Sequence, residues 1–154
     1  METRRITVIS AGLGVPSSSR LLADQLAAVA EHRLADAGFE VTVEIVELRD
    51  LAVDIANNFV TGYAAPRLAD VIAGVEATDG LIAVSPVFSA SYSGLLKSCT
   101  RVRDPKSLEG QAALRGAPGG PERHTMDVES ELRTLDSSHR PGVSANACCS
   151  APWP

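Results

Sequence analysis

Two loops carry the residue types that can hold a ligand. The first, Ala11-Gly12-Leu13-Gly14-Val15-Pro16-Ser17-Ser18-Ser19, ends in three hydroxyls just before a helix-forming run that opens with Arg20. A helix N-terminus offers unpaired amides and a partial positive charge, and small residues let an anion approach closely. Ser17, Ser18 and Ser19 can donate to phosphate oxygens, one of them doubling as the N-cap, and Arg20 can add a cation. Gly12 and Gly14 are present, but Ser17 stands where the dinucleotide fingerprint has its third glycine. The Gly-Lys-Ser/Thr ending of a nucleotide-triphosphate loop is missing as well. A plain capping turn is the alternative reading of the same residues.

The second loop, Ser85-Pro86-Val87-Phe88-Ser89-Ala90-Ser91-Tyr92-Ser93-Gly94, follows the apolar run Gly80-Leu81-Ile82-Ala83-Val84 and precedes a helix-like resumption at Leu95. Pro86 fixes the chain direction and removes a donor. Phe88 and Tyr92 can cover a planar ring, while Ser89, Ser91, Ser93 and nearby amides bond its polar rim. Gly94 permits close backbone approach or a tight turn. The competing reading has the aromatics simply packing on the next helix.

The elements that must position these loops follow from periodicity. Ile6–Ser10 is short and β-branched, a strand; Arg20–Gly38 carries apolar residues at helical spacing and stops at Gly38. Phe39–Leu48 alternates apolar and polar residues as a second strand, closing a βαβ unit with a parallel, right-handed crossover. Residues Arg49–Pro66 read as a long loop with a short helical piece, because Asn57-Asn58, Gly62 and Pro66 interrupt the pattern. Arg67–Ala77 is a second helix and Gly80–Val84 a third strand. A doubly wound α/β sheet is the expected fold.

Past Thr100 the pattern weakens. A fourth strand is due at Gln111–Gly116, yet Arg115-Gly116 is expected to interrupt it. Asp127–Leu135 can form a helix, with Asp136 and His139 breaking its apolar stripe. Val143–Pro154 is too polar and Pro-capped for a central strand.

Composition bounds the rest. The 154 residues suit one domain, and 45% hydrophobic with 21% charged residues is ordinary for a globular chain. A net charge of −5 disfavours nucleic acid or an anionic membrane as main partner. No apolar run approaches the ~20 residues of a membrane span, and no signal-peptide h-region follows Arg4-Arg5, so a cytoplasmic location is expected. Cys99, Cys148 and Cys149 make neither a disulfide framework nor a zinc site. His32, His124 and His139 are scattered and assigned to neither catalysis nor metal. Glu40, Glu44 and Glu47 are expected on the solvent face of an edge strand.

Together, Ile9–Ala23 and the pattern Ser85-Pro86-Val87-Phe88 to Ser91-Tyr92-Ser93-Gly94-Leu95-Leu96-Lys97 resemble the NADPH-dependent FMN reductases of the flavodoxin-like superfamily. The narrower likeness is to an actinobacterial subgroup associated with flavin-dependent monooxygenases. Gly119-Gly120-Pro121-Glu122-Arg123-His124 resembles the family's loop after the fourth strand. The resemblance implies that Ser10, Ser17, Ser19 and Arg20 hold the FMN phosphate. It implies that Pro86, Val87, Phe88 and Ser89 lie against the isoalloxazine and ribityl chain. By the same likeness Ser91, Tyr92, Ser93 and Gly94 close the site and reach a dimer partner, and Gly119 and Gly120 line the other flavin edge.

The implied activity is NAD(P)H-dependent reduction of FMN, with NADPH or NADH as donor, and delivery of reduced flavin to a partner monooxygenase. No catalytic acid or base and no metal is required, and a homodimer or tetramer is implied. Residues 1–147 form the expected domain, with 148–154 as a frayed tail. Family members continue past this length with firmer fourth and fifth strands. The alternatives are therefore a truncated, non-catalytic remnant, or a flavin-bound quinone or azo-compound reductase.

Overall fold

The sheet is built outward from its first strand, β1 (Thr3–Ser10), whose last five residues are all buried. The computed structural model describes residues 1–15, 17–88, 91–92, 94–102, 112–118 and 143–149. Helix α1 (Ser18–Asp36) crosses to β2 (Glu40–Glu47), which pairs parallel with β1 from Thr3↔Glu40 to Ser10↔Glu47. Helices α2 (Ala52–Thr61) and α3 (Pro66–Glu76) lead to β3 (Gly80–Val84), parallel to β1 on its other side. A two-residue hairpin, β4 (Val87–Phe88) with β5 (Ser91–Tyr92), precedes α4 (Gly94–Val102). Strands β6 (Ala112–Pro118) and β7 (Val143–Cys149) complete a parallel sheet of order β2-β1-β3-β6-β7.

Alternation along the strands divides the core in two. Ile6, Val8, Ile82 and Val84 face α1 and meet Leu22, Ala23 and Ala27. Ile9, Leu81 and Ala83 face the other way, into Leu48, Leu51, Ile55, Leu68, Val75 and Leu96. Burying each such large aliphatic side chain contributes about 1.5–3 kcal/mol, which is why both faces of the sheet are covered.

The structure departs from expectation after β2 and in the last two strands. The supposed loop after β2 is a 3-10 turn over Leu48–Leu51 followed by α2. Leu48, Leu51 and Ile55 are fully buried at spacings of three and four, and that burial outweighs the small helix penalty of Asn57 and Asn58. Gly62, at φ 70°, ends the helix in the left-handed region and donates its N–H to the Asn58 carbonyl at 2.8 Å.

The fourth strand is not interrupted at Arg115-Gly116. β6 runs through both, with Arg115 buried on the same face as Ala113 and Ala117. The fifth strand also forms, with seven register pairs from Ala112↔Val143 to Pro118↔Cys149. Among the described residues it stands at the end of the sheet, where the demands on a central strand do not apply. Cys148 and Cys149, the first two residues of the expected frayed tail, are instead the last two residues of this strand, held in register with Ala117 and Pro118. The helix expected over Asp127–Leu135, and Asp136 and His139 after it, lie outside the described residues.

Candidate functional site

In the order β2-β1-β3-β6-β7 the chain first winds outward from β1 to β2, then returns to β3 on the opposite side of β1. The switch point of the topology is therefore at the C-terminal ends of β1 and β3, where open α/β sheets bind ligands in a crevice. Both loops singled out from their residues leave the sheet there. They are tied at the root: the Ala11 N–H donates to the Val84 carbonyl at 2.8 Å, and the Ser85 N–H to Gly116 at 3.1 Å.

The first loop folds over the start of α1. Ser17 is the N-cap in extended conformation, its Oγ accepting from the Arg20 N–H at 3.2 Å. The Leu21 N–H donates to the Ser17 carbonyl at 3.1 Å. Helix geometry leaves the N–H groups of Ser18 and Ser19 without intrahelical acceptors. Ser19 is 1% exposed and its hydroxyl has no hydrogen-bond partner among the described residues. A buried orphan hydroxyl carries a desolvation cost of about 1–3 kcal/mol that an incoming acceptor removes. A β-carbon at Gly12 would lie 2.0 Å from Ser17 Oγ and 3.2 Å from Ser19 Cβ, so only glycine fits there. Ser10, fully buried at the end of β1, shares the α1 side of the sheet with Ile6 and Val8.

The Arg20 guanidinium turns away from the loop. Its Nε donates to Asp24 Oδ1 at 2.8 Å, one helical turn on, and its Nη1 lies 3.4 Å from Glu47 Oε1. The Asp24 hydrogen bond is the chief cause holding its pKa above the ordinary arginine value, with Glu47 adding to it against the effect of burial. Glu47 also meets Arg49, whose Nη2 is 2.7 Å from Oε2 and whose Nη1 donates to the Gly14 carbonyl. Sequence reasoning set Glu47 on a solvent face with Glu40 and Glu44. The latter two are exposed, whereas the Glu47 side chain is only 13% exposed and paired twice.

On the second loop, Pro86 is half-buried and its carbonyl accepts from Ser85 Oγ at 2.9 Å. The backbones of Val87 and Phe88 pair with those of Tyr92 and Ser91 in the β4–β5 hairpin, which sequence reasoning missed. Gly94, at the start of α4, has open space where a side chain would go. Ser89, Ser93, Gly119 and Gly120 lie outside the described residues. Among the described residues no cluster of His, Cys, Asp or Glu can hold a metal, and no helix is long and apolar enough to cross a membrane.

A parallel sheet of this order, with a serine-lined helix N-terminus at its switch point, defines a flavodoxin-like α/β protein. The profile of the NADPH-dependent FMN reductases matches residues 4–147, and the chain belongs to that family. It is 30% identical over 135 residues to the FMN reductase (NADPH) of Pseudomonas aeruginosa, spanning 86% of this chain and 69% of that one. It is 30% identical over 131 residues to the NADH-dependent FMN reductase SfnF of Pseudomonas putida, spanning 85% and 68%. A solved oxidoreductase from Corynebacterium diphtheriae superposes with a TM-score of 0.89 at 32% identity, covering 94% of this chain and 79% of that one. The family's cofactors are FMN and a nicotinamide nucleotide. The residues of the first loop fit the FMN phosphate: the start of α1 has a buried hydroxyl with no partner among the described residues, amides without intrahelical acceptors, and a glycine beside Ser17 and Ser19 with no room for a side chain.

Proposed function

We propose that this chain holds FMN at the switch point, takes hydride from NADPH or NADH, and passes reduced flavin to a partner monooxygenase. The observation that carries the reading is the Ser19 hydroxyl, buried without a partner at the N-terminus of a 19-residue helix. Ser10, Ser17, Ser19 and Arg20 are its phosphate-side residues. Ser17 orients the first turn, and Ser19 with the free amides receives the phosphate oxygens. Arg20, held by Asp24 and Glu47, contributes positive potential rather than a direct contact.

Pro86, Val87, Phe88 and Ser89 bear on the flavin ring, Gly119 and Gly120 on its other edge. Ser91, Tyr92, Ser93 and Gly94 close the site toward the second subunit of a homodimer. When bound, FMN supplies the ring that accepts hydride, so no side chain has to act as acid or base. The protein's part is to fix the phosphate, orient the ring and leave one face open to the nicotinamide. A cytoplasmic location belongs to the same reading. The sheet, five-stranded among the described residues and continuous through β6 and β7, supports a working fold over a remnant.

Fluorescence titration with FMN, followed by assays of NADPH and NADH oxidation with and without added FMN, tests this. Saturable quenching and FMN-dependent oxidation are expected. A folded protein that neither binds FMN nor oxidises either nucleotide in its presence would refute it.

A further inference from the structure

We infer that Glu47 is a positioning residue for the phosphate loop, acting through Arg49, and that this clasp sets affinity for the phosphate end of the flavin. The inference rests on the reading of residues 11–19 as the phosphate site.

Strand alternation brings Glu47 to its place. Val41, Val43 and Ile45 on β2 face the α1 side of the sheet, and Glu47 continues that row at the point where α1 begins. The register sets it beside Ser10, the last residue before the loop. Its two carboxylate oxygens divide the work. Oε1 lies 3.4 Å from Arg20 Nη1 on the first turn of α1, and Oε2 lies 2.7 Å from Arg49 Nη2. The other terminal nitrogen of Arg49 donates to the Gly14 carbonyl at 2.5 Å. A continuous polar chain thus runs from Asp24 through Arg20, Glu47 and Arg49 to the backbone of the loop.

That tether matters because packing does not hold the loop tip. Leu13 is 57% and Val15 80% exposed, so neither neighbour of Gly14 is anchored by apolar burial. The root is fixed by the Ala11 bond to Val84, and the tip by Arg49. The planar guanidinium fork spans a carboxylate and a carbonyl at once, which a lysine ammonium on its flexible stem does not reproduce. Glu47 in turn holds the fork in that orientation while neutralising it, with only 13% of its side chain exposed.

Dissociation constants for FMN and for riboflavin, which lacks the phosphate, test the inference in Glu47→Gln, Arg49→Met and Arg49→Lys, with KM and kcat alongside. Loss of one oriented hydrogen bond predicts that FMN affinity falls and its KM rises by about five- to tenfold in the first two variants. Arg49→Lys keeps the charge without the double span and is expected to recover only part of the loss. Riboflavin affinity and kcat at saturating FMN should stay within about twofold, which a general structural defect would not leave intact. Should Glu47→Gln fail to fold, Arg49→Lys carries the same comparison. Unchanged FMN affinity, or parallel loss of FMN and riboflavin, would overturn the inference. A wild-type protein that binds FMN no better than riboflavin would overturn the phosphate-site reading and this inference with it.

Discussion

The hydroxyl oxygen of Ser17 lies 2.0 Å from the point that a β-carbon on Gly12 would occupy. The loop after β1 therefore closes directly onto the N-cap of α1. Helix geometry leaves the Ser18 and Ser19 amides beside it without intrahelical acceptors.

Gly12→Ala forces either the loop or the N-cap to move. Overpacking of this kind costs about 1–3 kcal/mol, so a lower Tm is expected together with weakened FMN binding. Thermal unfolding and flavin titration of the same preparation check both.

Ser17→Ala removes the cap without touching the core. The Arg20 N–H loses its acceptor, and stability should fall by about 1 kcal/mol. Urea denaturation measures this. A variant as stable as the parent would mean that the loop recaps the helix by another group.

At the opposite end of the sheet, Asp79 ties the start of β3 to β1. Its Oδ2 accepts from the Arg5 N–H at 2.8 Å, and its own N–H donates to the Arg5 carbonyl at 2.9 Å. Asp79→Ala should cost about 1 kcal/mol of stability while leaving kcat/KM for FMN unchanged. Steady-state kinetics below the transition temperature separate the two effects.

Where local chemistry determined the outcome, the sequence was legible. Ile6 to Ser10, the apolar stripe of α1 and the β-branched run of β2 each specify their element within a few residues. The run Ser17–Ser19 announced a helix N-terminus because capping is a local hydrogen bond. α2 was hidden, since Asn57, Asn58 and Gly62 mask a helix anchored by Ile55 and by Leu48 and Leu51 in the turn before it, all meeting a distant sheet face. β7 was hidden because an edge strand is specified by its neighbour, not by its own apolar content.

The Glu47–Arg49 pair could not be read from spacing. Its meaning arises only when the β1–β2 register brings Glu47 beside Ser10 and carries Arg49 to Gly14. The direction of Arg20 has the same origin. Its competing partners are Asp24 on its own helix and Glu47 on a strand, and they outdo the loop.

Ser19 provides the most direct test of the account. Its hydroxyl is buried without a partner, so Ser19→Ala should leave the stability of the flavin-free protein unchanged or raise it by up to about 1 kcal/mol. The same change should reduce the preference for FMN over riboflavin by about tenfold, the value of one hydrogen bond to a charged group. Measuring the two dissociation constants in parent and variant decides it. A preserved FMN-to-riboflavin ratio in a folded Ser19→Ala protein would contradict a phosphate site at the N-terminus of α1.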